Sequence, residues 1–269
     1  MLDLSLYALL AVAAPEPPAL LEPSKQWVVN FAEQQCVASR SHSDGKGEIA
    51  LALRQSPYDD IIHLFVIRDG HASKWANQVP ARLTIGDGAT TKTFALRYSA
   101  GREGPARRVD RVTIPAEQRP QLAAAKSVEV SAEGGPRTAF RLSKMDSISK
   151  LLNDCTHDLR KFWNMGEAAT VVAVPAKPVQ ELATLFSWTD YPGAALTKQQ
   201  EGAAQLMLLI NETGAIDSCQ VVRTEGAPLF ETMGCQVLLQ RAKFEPARDL
   251  RGKPVRSSYI SPPIRFSLR

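Results

Sequence analysis

Cys155 and His157 are the residues whose types could do covalent chemistry, in a stretch that reads DCTHD. A thiol beside an imidazole makes a cysteine nucleophile with its base, provided that the two side chains touch. The surrounding sequence predicts a helix, and residues two apart on a helix point about 200° away from each other. We therefore expect Cys155 to lie in a disulfide, with a Cys–His hydrolase as the alternative.

No sequence motif of a known enzyme mechanism is present. The chain contains no GxSxG, HExxH, GxGxxG or Walker-type stretch. Asp59 and Asp60 offer paired carboxylates, but they follow Ser56 and Pro57 and are predicted to form a turn. His63 lies in the apolar run IIHLFV and is predicted to be a buried residue of the core or of a pore wall. The histidines and cysteines show no ligand spacing, so we expect no metal. Without an enzyme motif we also expect no cofactor and no catalytic residue.

Length and composition are ordinary for a globular protein. The 269 residues suffice for one large domain or two smaller ones. Apolar residues make up 44% of the chain and charged residues 22%, both within the usual range. The net charge of +4 is mild, and the basic residues are scattered. A nucleic-acid partner is therefore not expected.

The N-terminal residues are predicted to be an export signal. The apolar run of residues 4–14 would span roughly 16 Å as a helix, against a hydrocarbon core of about 30 Å. The small residues AVA before Ala14 fit a cleavage site, so residues 1–13 are assigned to a signal peptide and residues 14–26 to a Pro-rich segment. Asp3 disagrees with this assignment, which leaves a weak signal or a start further upstream as alternatives. We expect export without a firm membrane anchor.

The chain has four cysteines, all far apart. In an exported protein an even number is expected to form disulfides, and four permit three connectivities. Cys219 faces inward on a predicted strand and Cys235 on the helix that follows, so these two are expected to pair. Cys155 lies on the helix after the N-terminal strands and is expected to bridge to Cys36.

Residues 27–163 are predicted to form a β-rich domain. Short runs of β-branched and aromatic residues recur at a spacing of about ten, separated by Gly, Pro, Asp and Ser. This pattern indicates an antiparallel sandwich or barrel. A helix with Asp146 or Ser147 as its N-cap is then expected to close the domain. Its apolar stripe consists of Ile148, Leu151, Leu152, Cys155 and Leu159.

A second domain is predicted after a connector. Residues 164–180 have small residues and prolines, and they could extend over at most roughly 60 Å. Residues 181–269 indicate the order helix, strand, strand, helix, strand, which predicts two helices packed on a three-stranded antiparallel sheet. The whole chain is therefore predicted to be an α+β protein.

The stretch FEPARDLRGKPV in residues 244–255 consists largely of residues that shape the backbone. Phe244 is predicted to be the last buried residue of the second helix, and Pro246 to forbid its continuation. Asp249 and Gly252 stand at the first and fourth positions of a type I turn. The chain is thereby predicted to reverse toward a final strand.

An ordered set of residues runs through the second domain. It consists of Tyr191, Pro192, Ala195, Gly202, Gly214 in the hairpin, Gly226, then Phe244, Pro246 and Gly252, and an apolar last strand. Taken together, these residues resemble the C-terminal domain of the TonB family, over about residues 185–269. Members of that family are periplasmic proteins that couple inner-membrane energy to outer-membrane transport. The N-terminal domain shows no such resemblance.

The resemblance implies a binding module without catalytic residues. Family members dock an extended peptide of an outer-membrane receptor against a sheet edge, where main-chain hydrogen bonds supply affinity. It also implies a periplasmic location, or an inner-membrane association if the N-terminal segment is not cleaved. The alternative is a structural domain that forms a homodimer, with the activity in the N-terminal β-domain. The partner-binding edge is expected at Ile264, Arg265, Phe266, Ser267 and Leu268, with Tyr191 as a second contact.

Two features differ from the energy transducers of that family. Those proteins need a membrane anchor and a long Pro-rich spacer, where this chain has a β-rich domain and a short connector. Trp188 stands three residues before Tyr191, where the transducers carry a polar residue thought to face the receptor. These differences weaken the case for direct energy transduction and leave a link to TonB-dependent transport open.

Overall fold

The N-terminal region folds as a barrel with two helices. The computed structural model describes residues 18–268 except 33–34, 44, 46, 59–60, 73–76, 101–105, 167–171, 198 and 227–228. The predicted signal peptide and the carboxylates at 59–60 lie outside the described residues. The strands are β1 (Leu20–Pro23), β2 (Val28–Ala32), β3 (Gln35–Ser43), β4 (Glu48–Gln55), β5 (Ile62–Asp69), β6 (Asn77–Ile85), β7 (Thr91–Ala100), β8 (Arg107–Ile114), β9 (Ser127–Ala132) and β10 (Thr138–Arg141), and the helices are α1 (Arg119–Ala124) and α2 (Met145–Phe162).

Nine of these strands close into a ring. Their hydrogen-bonded order is β1-β10-β9-β6-β7-β8-β5-β4-β3, and β1 also pairs with β3. Strand β2 pairs with residues 35–39 of β3, whereas β1 pairs with residues 42–43 of the same strand. Adjacent strands are antiparallel except β1 and β10, which run parallel. Of the two architectures that the sequence left open, the barrel is therefore the one observed, and closure leaves the sheet with few free edges.

Two strands of the ring were not anticipated from the sequence. Strand β1 lies inside residues 14–26, the segment assigned to a Pro-rich stretch, so the barrel starts before Trp27. Strand β3 reads QCVASRSHS and has no large apolar residue except Val37. Its inward positions include Cys36, Ala38 and His42, which are fully buried. Because these inward residues are small or polar, the sequence lacks the alternation of large apolar and polar residues that indicates a strand.

Helix α2 contributes to the same hydrophobic core as the inward face of the barrel. Ile148, Leu152 and Leu159 are buried in that cluster, as predicted. Leu151 differs from the prediction, because 40% of it is exposed. The helix begins at Met145 after a residue in the left-handed conformation, so neither predicted N-cap residue takes that position.

The C-terminal region places a small sheet under one main helix. Its elements are β11 (Lys177–Pro178), α3 (Gly193–Thr197), β12 (Gly202–Ile210), β13 (Ile216–Gly226), α4 (Leu229–Arg241), β14 (Phe244–Glu245), β15 (Ala247–Arg248), β16 (Pro254–Val255), β17 (Ser257–Ile260) and β18 (Ile264–Phe266). The main elements run in the order α3, β12, β13, α4 and then β17 and β18, with short strands besides those predicted, and the whole chain is α+β. Part of the predicted connector is structured here, since β11 pairs with β14.

The sheet has four strands where three were predicted. Strand β12 is central, with β13 on one side and both β17 and β18 on the other. Residues 261–263 read Ser-Pro-Pro and separate β17 from β18. Because proline has no N–H to donate, the third strand cannot continue through these residues.

Both faces of β12 are buried. Leu206, Leu208 and Ile210 belong to a cluster formed with α4 and the last strands. Met207 and Leu209 belong to the hydrophobic cluster of the barrel and α2. A strand buried on both faces has a nearly continuous apolar sequence, and residues 206–210 read LMLLI. The barrel therefore covers the sheet face that α4 leaves open.

The predictions for the stretch FEPARDLRGKPV at residues 244–255 are confirmed in part. Helix α4 ends at Arg241, so Phe244 lies beyond it, in β14, and the prediction that it ends the helix is wrong. Phe244 is nevertheless buried. The predicted turn is present, since the N–H of Gly252 donates to the carbonyl of Asp249 across 3.0 Å. It joins β15 to β16.

Candidate partner-binding edge of the C-terminal sheet

Strand β18 is an edge of the sheet. It pairs with β12 through the register Gly202–Phe266, Ala203–Arg265 and Ala204–Ile264. Within the described part of the chain, no strand pairs with its other side. Ile264 and Phe266 are buried in the domain core, whereas Arg265 is exposed. The edge thus offers main-chain groups and one charged side chain to a partner strand.

The edge is shorter than the five residues expected from the sequence. Ser267 and Leu268 follow the strand without joining the ladder. The N–H of Leu268 instead donates to a carboxylate oxygen of Glu201 across 2.8 Å. A pairing strand would therefore find three residues of β18 at this edge.

Ser261 forms hydrogen bonds to β12 at the point where the third strand is interrupted. Strand β12 has a bulge between Gln205 and Leu206. The Leu206 N–H donates to the Ser261 hydroxyl across 3.0 Å, and the Ser261 N–H donates to the Leu206 carbonyl across 2.8 Å. The bulge and the interruption therefore meet at one buried, hydrogen-bonded point.

An exposed tryptophan stands on a fixed turn close to the edge. Trp188 is 70% exposed and begins a short 3₁₀ turn that ends at Asp190. The Asp190 carboxylate accepts hydrogen bonds from the N–H and the hydroxyl of Ser187, at 2.8 and 2.7 Å. It also accepts two bonds from the guanidinium of Arg241 on α4, at 2.6 and 2.8 Å. The arginine and Ser187 hold the pKa of this carboxyl well below its ordinary range.

Tyr191 connects this turn to the edge strand. Its ring centre lies 6.5 Å from that of Trp188 and 6.1 Å from that of Phe266. Its hydroxyl donates to the carbonyl of Gln200 across 2.6 Å. Burial raises the pKa of this phenol. The interactions of Tyr191 are thus within the domain, and its predicted role as a partner contact stays a prediction.

The other motif residues lie at turns and strand ends. Gly202 begins β12, and the carbonyl of Pro192 accepts the N–H groups of Ala195 and Leu196 at the start of α3. Pro246 separates β14 from β15, and Gly252 has a φ of 77° in the turn before β16.

The cysteines form two disulfides, Cys36–Cys155 and Cys219–Cys235. Both pairs are those predicted from the sequence. Cys155 is therefore not a free thiol, and His157 on the same helix is exposed. The Cys–His alternative has no nucleophile in this structure.

Other candidate sites were sought in the described part of the chain. It holds no group of three or more His, Cys, Asp or Glu residues placed to bind a metal ion. None of the helices in those residues is long and apolar enough to cross a membrane. His63 is buried, but it lines a cavity beside the C-terminal domain and not the barrel interior.

Three of the residues that shape this edge were missed in the sequence. No sequence pattern identifies the hydrogen-bond partners of Arg241, Ser261 and Glu201. Those partners lie 51, 55 and 67 residues away in the chain. The Pro262–Pro263 pair was a usable signal, because two prolines in a row exclude a continuous strand.

The geometry defines a small α+β domain with an open sheet edge, attached to a closed barrel. Residues 189–268 match the family model described as Gram-negative bacterial TonB protein C-terminal. The match begins in the turn at Thr189 and includes α3, α4 and all strands of the four-stranded sheet. No curated protein and no solved structure matches the chain. The resemblance noted in the sequence is thus confirmed for the C-terminal domain.

Proposed function

We propose that this protein is an exported, non-enzymatic protein of the Gram-negative cell envelope whose C-terminal domain binds an extended segment of a partner protein. The observation that carries the proposal is the match of residues 189–268 to the TonB C-terminal family. The edge of β18 lies within those residues and offers main-chain groups to a further strand. Strand addition gives affinity through the main chain and selectivity through flanking side chains.

Trp188 and Arg265 are the side chains that we assign to selectivity. An exposed tryptophan is unusual on a surface that has no partner, and tryptophan and arginine are enriched among residues that dominate binding energy. The turn of Trp188 is held by Asp190 and Arg241, so little conformational freedom would be lost on binding. A partner strand at β18 would therefore be flanked by an aromatic face and a positive charge.

The periplasm is the proposed location. Two disulfides fit an oxidising compartment, and the family is one of Gram-negative envelope proteins. An outer-membrane receptor is the partner class that the family suggests.

We do not assign force transmission across the periplasm to this chain, because the C-terminal domain packs against the barrel. The side-chain amide of Asn164 donates to the carbonyl of Arg256, whose guanidinium lies 4.3 Å from the ring centre of Phe162.

The test is a titration of the whole ¹⁵N-labelled chain with peptides from the N-terminal segments of outer-membrane receptors. We expect shifts in the amides of residues 264–266 and in the indole N–H of Trp188. Trp188→Ala should weaken binding by about tenfold or more. Leu250→Ala removes another exposed apolar side chain, in the turn between β15 and β16, and should leave binding unchanged. Amide signals that stay in place with every receptor peptide would overturn the proposal.

A second candidate function is dimerisation through the same edge. It is favoured by the unpaired side of β18, which could pair with its copy in a second chain. In that case the binding activity would lie in the N-terminal barrel. A dimer in light scattering that Arg265→Pro disrupts, together with no peptide binding, would support this function over the first.

A further inference from the structure

A cavity of about 220 Å³ lies where the wall of the barrel faces the C-terminal domain. It is on the β13 side of the small sheet, whereas β17 and β18 form the opposite side. The cavity is therefore separate from the proposed partner-binding edge. Its walls are Arg54, Ser56, His63 and Arg111 from the barrel, and Cys219, Gln220, Val221, Thr232 and Cys235 from the C-terminal domain. None of these described wall residues is a carboxylate.

Strand register brings two arginines to the two sides of one histidine. Arg54 on β4 stands directly opposite His63 on β5. On the next strand, β8, Thr113 stands opposite His63 and Arg111 stands opposite Phe65. Arg111 is thus the diagonal neighbour of His63, within reach of a long side chain. His63 and Phe65 alternate along β5 with residues that point into the barrel. The histidine and the two arginines therefore lie on the outer wall of the barrel.

The arginine on β4 is positioned by an aromatic ring. The guanidinium carbon of Arg54 lies 5.3 Å from the ring centre of Phe65. Stacking of this kind orients the plane of the guanidinium. A planar fork of N–H donors is the group that best matches the two oxygens of a carboxylate or phosphate.

His63 supplies a neutral hydrogen-bonding group to this wall. It is 9% exposed, and burial, followed by the charges of Arg111 and Arg54, lowers its pKa to about 3. Its Nδ1 lies 3.5 Å from the hydroxyl oxygen of Thr113. At neutral pH the positive charge of the cavity therefore comes from the arginines, and the imidazole carries none.

We propose that this cavity binds a small oxyanion, of the size of phosphate or a short carboxylate. The two guanidinium groups provide the charge, and Ser56, Gln220 and Thr232 provide neutral polar groups around it. A negative charge here offsets the repulsion between the two arginines, whatever other partners they keep. Because the walls come from both domains, the bound ion stabilises their contact.

The test uses the whole chain with inorganic phosphate or acetate, at constant ionic strength set with chloride. We expect the ring signals of His63 to shift on saturable binding, and the thermal midpoint to rise. A response to phosphate alone would assign the cavity to a tetrahedral oxyanion, and a response to acetate alone to a carboxylate. Because Arg111 supplies one of the two guanidinium groups, Arg111→Gln should weaken binding about tenfold or more.

Matched variants separate a specific site from general charge. Arg111→Lys keeps the charge without the fork and should retain part of the affinity. Arg82→Gln removes an exposed arginine from β6, a strand that does not line the cavity, and should have no effect. The proposal is overturned if neither anion moves the His63 signals of the unaltered chain. It is also overturned if Arg82→Gln weakens binding as much as Arg111→Gln does.

Discussion

The carbonyl oxygen of Phe244 occupies the place that a side chain on Gly214 would need. A Cβ built on Gly214 would lie 1.9 Å from that oxygen. The N–H of Phe244 donates to the carbonyl of Gly214 across 3.2 Å, and Gly214 has a φ of 84°. The hairpin tip and the strand after α4 are therefore joined at a point where only glycine fits.

Gly214→Ala should lower the free energy of unfolding by clearly more than the left-handed backbone alone explains. That backbone penalty is about 1–2 kcal/mol for a residue with a Cβ, and the contact with Phe244 adds to it. Gly252→Ala is the matched control, because Gly252 has a φ of 77° and no atom near its Cβ position. Urea unfolding of the two variants measures the difference. Equal losses would show that the contact contributes nothing.

The turn chemistry was the part of the fold that the sequence predicted best. The Asp249 carboxylate accepts the N–H groups of Arg251 and Lys253, and Gly252 and Gly214 have positive φ. These effects are local, so residue type alone indicates the conformation. The disulfide pairs were predictable for a related reason, since each cysteine lies on the buried side of its element. Strand β3 was missed, because its inward side carries Cys36, Ala38 and His42 in place of large apolar residues.

The relations between distant segments could not be predicted. Nothing near His63 in the chain indicates that Arg111 is its neighbour, because strand order in the barrel decides that contact. In the same way, the sequence predicted β12 as a strand of a hairpin but not that one of its faces meets the barrel. Propensity and periodicity are local signals, whereas register and packing between domains depend on the whole chain.

Ser261→Ala should destabilise the protein although it removes a single oxygen. The hydroxyl of Ser261 accepts the N–H of Leu206 at a buried position, and without it this donor has no partner. An unsatisfied buried donor costs about 1–3 kcal/mol. Ser267→Ala, at an exposed position after β18, is the control. If chemical denaturation gives the same midpoint for both variants, the bond does not stabilise the bulge.

Asp190→Asn should lower stability near neutral pH and lose this effect in acid. The pKa of Asp190 is depressed in the folded protein, against about 3.9 in an unfolded chain. A depressed pKa contributes stability that is present above about pH 4 and is lost as the pH falls toward the folded value. Denaturation midpoints of the two proteins should therefore converge below about pH 4.

The control for this pH dependence is Asp158→Asn, which removes an exposed carboxylate from α2. Its midpoint should follow that of the unaltered protein at all pH values. A difference between Asp190→Asn and the unaltered protein that stays constant in acid would contradict the assignment of the ion pair with Arg241.

An isolated C-terminal fragment of residues 172–269 should not behave as the domain does in the whole chain. Removal of the barrel exposes the face of β12 that carries Met207 and Leu209, next to Val222 on β13. An exposed apolar sheet face favours association, so we expect dimers or larger species in light scattering and increased binding of a hydrophobic dye. The same fragment with Met207→Thr and Leu209→Thr keeps strand-forming residues while reducing the apolar area. It should be closer to monomeric, and a monomeric unaltered fragment with the unfolding midpoint of the whole chain would show that the barrel does not stabilise this sheet.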